Sequence, residues 1–273
     1  MLLNYGSVMY YAYIAALLFV CFLCYKLIKK SGKVLQKFFI FLLALVNLVQ
    51  HVFKGFIYPQ YQGNYDLSLS TAYNFCALLI IVAPFIILFG NQLLKNFFSY
   101  AGIICGILTF GFPYWFLNQS ALNWEVYRYY ICHGLLFITA ILPVLTKVTK
   151  LDLKYFWVMG LLFFVGLGIV LVNDIVLIRM GIMPSKGSLL ETLNALNPAW
   201  TMHPPANFEW LVDIFKSISP SFLLGNNPWG MYIPILWYAI PLYLLTVMAV
   251  LIMSVLSQLF YVFRDYLEDS RVH

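Results

Sequence analysis

A cysteine and a histidine stand deep in apolar sequence, in AYNFCALLIIVAPF (72–85) and VYRYYICHGLLF (126–137). Cys76 and His133 make the smallest constellation for nucleophilic acyl transfer. The imidazole takes the thiol proton, the thiolate attacks an ester carbonyl, and the imidazole later protonates the leaving group. A free thiol is mostly protonated at neutral pH and burial makes its ionisation harder, so such a cysteine needs a base or a nearby cation. His133 could supply the base, with Arg128 or Lys54 anchoring a phosphate headgroup. Asn74 or Asn173 could donate to a developing oxyanion. Cys132 adjoins His133, but neighbouring side chains on a helix diverge by about 100°. Cys76, on a separate segment, is therefore the better nucleophile.

The elements that must position these groups are membrane helices. The 273-residue chain is 63% hydrophobic and only 10% charged, whereas soluble domains average roughly a quarter charged residues. With so little polar surface, most apolar side chains must face lipid. The formal charge of +6 is dispersed, without a basic stripe or nucleic-acid motif, so no nucleic-acid partner is expected. The partners expected are membrane lipids, and no cofactor is expected. The five cysteines all lie in apolar stretches, which excludes a disulfide framework in extramembrane loops. Cys21 and Cys24 have CxxC spacing but read as two small residues of a lipid-length helix. The N-terminus lacks a basic lead and a small-residue cleavage site, so no removable signal peptide is expected.

A spanning helix needs roughly 20 predominantly apolar residues. Seven segments meet that requirement, at about 7–28, 37–57, 71–90, 97–117, 128–147, 155–180 and 230–260. The sequence thus predicts an all-α membrane protein, a seven-helix bundle forming one polytopic domain over 1–273, with no internal repeat. Connections are short except for the proline-rich loop 181–229, where 209–224 reads as a short amphipathic helix. Lys26, Lys29, Lys30, Lys33, Lys37, Lys95, Lys147, Lys150, Lys154, Arg264 and Arg271 collect on one side of such a bundle. Lys54, Arg128, Arg179, Lys186 and Lys216 fall on the other. The positive-inside rule then puts the N-terminus outside, the C-terminus in the cytoplasm and the long loop outside a cell membrane.

Intramembrane polar groups usually face the bundle interior or a wet cavity. Asn47, Gln50, His51 and Lys54 are spaced as one face of the second span. The third span adds Asn74 and Cys76, the fifth Arg128, Cys132 and His133, and the sixth Asn173 and Asp174. Counted from those boundaries, Cys76, His133, His51 and Asn173 sit roughly 8–11 Å below the outer face. A common outer-leaflet pocket is one reading of that shared level. A buried hydrogen-bond layer that fixes helix packing is the other. A zinc site is disfavoured because no HxxxH or HxxE spacing occurs on any helix. His203 reads as a loop histidine, and His273 carries no signal. Gly102, Gly106 and Gly111, and likewise Gly160, Gly166 and Gly168, read as helix-contact positions.

Several stretches in order resemble one family. They are AYNFCALLIIVAPF (72–85), YAGIICGILTFGFP (100–113), YRYYICHGLLF (127–137), VNDIVLIRM (172–180) and NNPWGMYIP (226–234). Together they resemble the YwaF-type family of bacterial integral membrane proteins, grouped with an animal transmembrane lipid acyltransferase. The resemblance implies Cys76 as nucleophile, His133 as base and Asn173 as a pocket residue. The chain departs from that pattern by carrying Asn74 where the family has its first histidine; if that histidine assists the thiol, this protein is impaired or His51 takes its place. A membrane-embedded acyltransferase or lipid hydrolase is one function class. The other is a binding or transport protein for a small solute or lipid.

Overall fold

The computed structural model describes residues 2–57, 66–113, 116–185, 187–197, 201–202, 209–221 and 239–269. Its helices are α1 Val8–Ile28, α2 Lys33–Val52, α3 Lys54–Ile57, α4 Phe75–Phe89, α5 Gln92–Gly111, α6 Trp124–Leu145, α7 Phe156–Arg179, α8 Leu189–Leu196, α9 Glu209–Ile218 and α10 Ala239–Asp269. Among the described residues α1, α2, α5, α6, α7 and α10 are long and apolar enough to cross a membrane. The third segment expected to span, 71–90, contains α4, a helix of 15 residues. At 1.5 Å per residue α4 is about 22 Å long, short of the roughly 30 Å hydrocarbon core. Among the described residues, six helices long enough to span and one shorter apolar helix therefore stand where seven spans were expected.

Polar caps explain where most boundaries moved. Asn91 accepts from the Leu94 N–H at 2.9 Å and starts α5 at Gln92, before the apolar run begins. Asn123 accepts from the Glu125 N–H at 3.0 Å and starts α6 at Trp124 rather than near 128. A side-chain acceptor at this position satisfies one of the amides left over at a helix start. α8 was not expected, yet Ser188 and Glu191 form a complete capping box around its first turn. The hydrogen bonds from Ser188 hold the Glu191 carboxyl below its ordinary range. α9 falls inside the amphipathic helix expected at 209–224. His203, His273 and the stretch 226–234 lie outside the described residues.

The chain divides into two compact units. The first comprises Met1–Tyr65, Leu79–Leu153 and Met253–His273. Here α5 and α6 pack along their length, and α1 and α2 lie against α6. Close approach of α5 to α6 needs glycine. A Cβ on Gly102 would stand 2.6 Å from the Ala140 Cβ, and one on Gly106 2.5 Å from the Phe137 Cδ2. Gly111 has open space around it. A second cluster, of Leu3, Phe110, Ala121, Val126 and Tyr130, seals one end of this unit. α1 buries only 6% of its spanning window. Its exposed apolar face suits lipid contact.

α2 and α6 run antiparallel in a fixed register. Lys33 Nζ donates to the Thr146 carbonyl. Fourteen residues further along α2, Asn47 Nδ2 donates at 3.0 Å to the carbonyl of Cys132, fourteen residues back along α6. The residues of α2 that are buried, Gln36, Ile40, Ala44, Asn47 and His51, make one stripe at helical spacing.

The second unit comprises Asp66–Leu78 and Lys154–Ile252. α8 folds back on α7, burying Ile178, Leu193 and Met202 together. The first turn of α4 docks on α7 through Phe75, whose ring stacks on Phe163 at 4.8 Å between centroids. The notch that receives it is Gly166, where a Cβ would stand 2.5 Å from the Phe75 Cε2.

Candidate functional site

In the first unit, the end of the α2–α6 pair away from the lysines is polar. Asn47, His51 and Lys54 are all buried, and Gln50 Nε2 donates to Asn47 Oδ1 at 2.5 Å. The expected continuous face is interrupted, because α2 ends at Val52 and Lys54 begins the short α3. The α2–α6 register extended by four residues puts His51 level with Arg128. His133 is then about 7 Å nearer the lysine-rich end at 1.5 Å per residue.

His133 is half-buried on α6, and its Nδ1 lies 2.8 Å from the Tyr129 carbonyl one turn earlier. A carbonyl can only accept, so Nδ1 carries the proton. In the neutral ring the lone pair then sits on Nε2. The Tyr129 ring packs against the imidazole at 4.4 Å and limits its rotation. The result is a histidine whose tautomer suits it to receive a proton.

Arg128 is half-buried and forks onto Glu125, with Nε at 3.0 Å and Nη2 at 2.8 Å from Oε2. The carboxylate offsets the guanidinium charge and reduces its pull on a phosphate. Glu125 was not singled out from the sequence, although its i, i+3 spacing from Arg128 carries the signal. Cys132 is buried, and its carbonyl takes the Asn47 hydrogen bond, so this residue belongs to the α2–α6 seam.

The second unit carries Cys76, Asn74 and Asn173. Asn74 Oδ1 accepts from the Ala77 N–H at 2.8 Å, which makes it the cap of α4. Cys76 is thus in the first helical turn, not five residues down a span that begins at 71. It is half-buried and in no disulfide. Asn173 Nδ2 donates to Thr71 Oγ1 at 3.0 Å and to Asp174 Oδ1 at 3.1 Å. Both its amide hydrogens are engaged, and they fasten the segment that leads into α4. Thr71 in turn donates to the Ser68 carbonyl at 2.7 Å. Asp174 is fully buried, and its Oδ2 has no hydrogen-bond partner among the described residues.

The candidate residues therefore form two sets. His51, Lys54, Arg128 and His133 belong to the first unit, and Asn74, Cys76 and Asn173 to the second. The equal depths expected from span boundaries do not follow from the helix ends. Cys76 is one residue past the start of α4, His133 nine past that of α6, His51 one before the end of α2 and Asn173 six before that of α7. Among the described residues no three of His, Cys, Asp and Glu come together as a metal site.

No curated protein and no solved structure matches the chain. The model of the TMEM164 family matches residues 4–257, which takes in both units and all the candidate residues. With nearly the whole chain covered, this multi-pass membrane protein belongs to the TMEM164 family.

Proposed function

We propose that the protein is a thiol-dependent lipid acyltransferase or lipid hydrolase working in the outer leaflet of a cell membrane. Cys76 is the nucleophile and His133 the base. The observation that carries the reading is the state of each group in its own unit. Cys76 occupies the first turn of a capped helix, where the helix dipole favours negative charge. His133 has Nδ1 committed to a carbonyl, leaving Nε2 to take a proton.

In the proposed reaction, the base accepts the thiol proton as the sulfur attacks an ester carbonyl. The alkoxide leaves with the proton returned by the imidazolium. An acceptor hydroxyl, or water in the hydrolase case, then attacks the thioester and restores the thiol. Asn74 keeps its amide nitrogen for the oxyanion, since capping uses only its Oδ1. Asn173 is a positioning residue that holds Thr71 ahead of that cap. Arg128, His51 and Lys54 contribute polarity to the headgroup side.

α4 counts as the third of seven spans, entering the membrane at Asn74 and leaving beyond Phe89. What supports this topology is the alternation of lysines. The end of α1, the starts of α2 and α5 and the end of α6 all carry them, which favours a cytoplasmic position for that face.

The test is lipid profiling of cells expressing wild type, Cys76→Ala and His133→Ala at matched levels. Acyl transfer predicts that wild type shifts one lipid class and that both variants abolish the shift. Identical profiles for all three would reject chemistry at these residues. The reading would then pass to solute or lipid binding, which the half-buried Asn173 and Thr71 beside the buried Asp174 favour.

A further inference from the structure

The opposite end of the α2–α6 pair holds a feature that the acyl-transfer reading does not use. An open cavity of about 410 Å³ lies among the end of α1, the start of α2 and the end of α6. That is the size of a small-ligand site. Lys29, Lys30, Lys33 and Lys147 line it, and among the described residues no carboxylate does. Four lysines around one cavity favour an anionic ligand.

The walls are fixed by hydrogen bonds. Gln36 is 3% exposed and donates from Nε2 to the Ile28 carbonyl at 3.0 Å and the Lys29 carbonyl at 3.4 Å. It therefore locks the turn that presents Lys29 and Lys30. Lys33 ties the start of α2 to the Thr146 carbonyl at the end of α6. Lys147 stands 5.5 Å above the Tyr261 ring, which restrains its stem. The backbone that carries Lys29 and Lys30 is fixed and Lys33 and Lys147 are each held by a contact, which lowers the entropy lost on binding.

Exposed apolar side chains neighbour these lysines in sequence: Leu27, Val34 and Leu35 are 71%, 84% and 57% exposed. A soluble anion has no use for that surface, whereas a phospholipid would lay its acyl chains on it and its phosphate in the cavity. We infer that this cavity binds the phosphate of an anionic glycerophospholipid, presented from the leaflet on the lysine-rich side. The inference is independent of the chemistry at Cys76 and His133.

Native mass spectrometry of the full-length protein, released from detergent, tests it with three probes. They are phosphatidylglycerol, phosphatidylcholine and soluble glycerol 1-phosphate. Wild type is expected to retain phosphatidylglycerol over phosphatidylcholine. Lys30→Gln with Lys147→Asn should weaken that retention about thirtyfold, since each lysine near a charged lipid is worth roughly a five- to sixfold step. Asn suits position 147 because the backbone there has φ 58°. Lys26→Gln with Lys150→Gln removes the same charge from outside the cavity and should leave retention unchanged. Equal loss in both double variants, or equal retention of the two lipids, overturns the site. Binding of glycerol 1-phosphate without retention of phosphatidylglycerol overturns the lipid and assigns the cavity to a soluble phosphate ester.

Discussion

Both units use glycine notches on a long helix, but they seat different things in them. In the first unit Gly102 and Gly106 of α5 admit Ala140 and Phe137 of α6, bringing two backbones together over two turns. In the second unit Gly160 and Gly166 of α7 admit aromatic rings, Tyr243 and Phe75. Tyr243 also donates its hydroxyl to the Trp157 carbonyl at 3.0 Å. The first arrangement fixes helices, since an added methyl would meet the Cβ atoms of Ala140 at 2.6 Å and Phe137 at 2.7 Å, which move only with their main chain. The second fixes ring positions, and Phe75 is the residue before Cys76. The same sequence signal thus serves stability in one unit and the placing of a functional turn in the other.

Glycine replacements can separate these two uses. Gly106→Val should have the largest effect, about 3 kcal/mol of lost stability, because neither helix can move without unpacking the other. Thermal unfolding in detergent would report it, together with a fall in the yield of folded protein. Gly166→Val should cost less, about 1–2 kcal/mol, since the Phe75 ring can swing aside. Its larger consequence is functional: thiol labelling at Cys76 and any Cys76-dependent lipid conversion should change while the protein still folds. Similar stability losses for the two variants, with no change at Cys76, would erase the distinction. Asn47→Leu should cost about 1 kcal/mol through the seam to the Cys132 carbonyl, and labelling at Cys76 should be unaffected. The smallest effect belongs to Gly168→Ala. Nothing lies within 4 Å of a Cβ there, so the helix should gain about 0.5 kcal/mol.

Apolar runs were enough to find all six long helices, because lipid demands about 20 such residues whatever the packing. Their starts were harder to read. Gln92 and Trp124 begin helices several residues before the apolar run, as capping by Asn91 and Asn123 permits. α4 failed in the opposite direction, since its cap is Asn74 and the residues ahead of it turn as a 3-10 helix, Leu67–Ser70. The depths assigned to the polar residues inherited those errors. The capping box of α8 was present in SLLE, residues 188–191, and is legible to anyone weighing Ser188 against Glu191. The tautomer of His133 was not legible, because it depends on a carbonyl that every sequence has. Among the glycines, spacing alone did not distinguish Gly102 and Gly106 from Gly111, or Gly166 from Gly168. What distinguishes them is the side chain that arrives from elsewhere.

The bonds Lys33 to Thr146 and Asn47 to Cys132 also govern motion. They are separated by about 21 Å of helix at 1.5 Å per residue. Two fasteners so far apart on an antiparallel pair allow neither sliding nor screw rotation without breaking together. α2 and α6 therefore behave as one strut, with a cationic foot and an imidazole-bearing head. A displacement of the foot should reach His51 and His133 with little slippage between the helices.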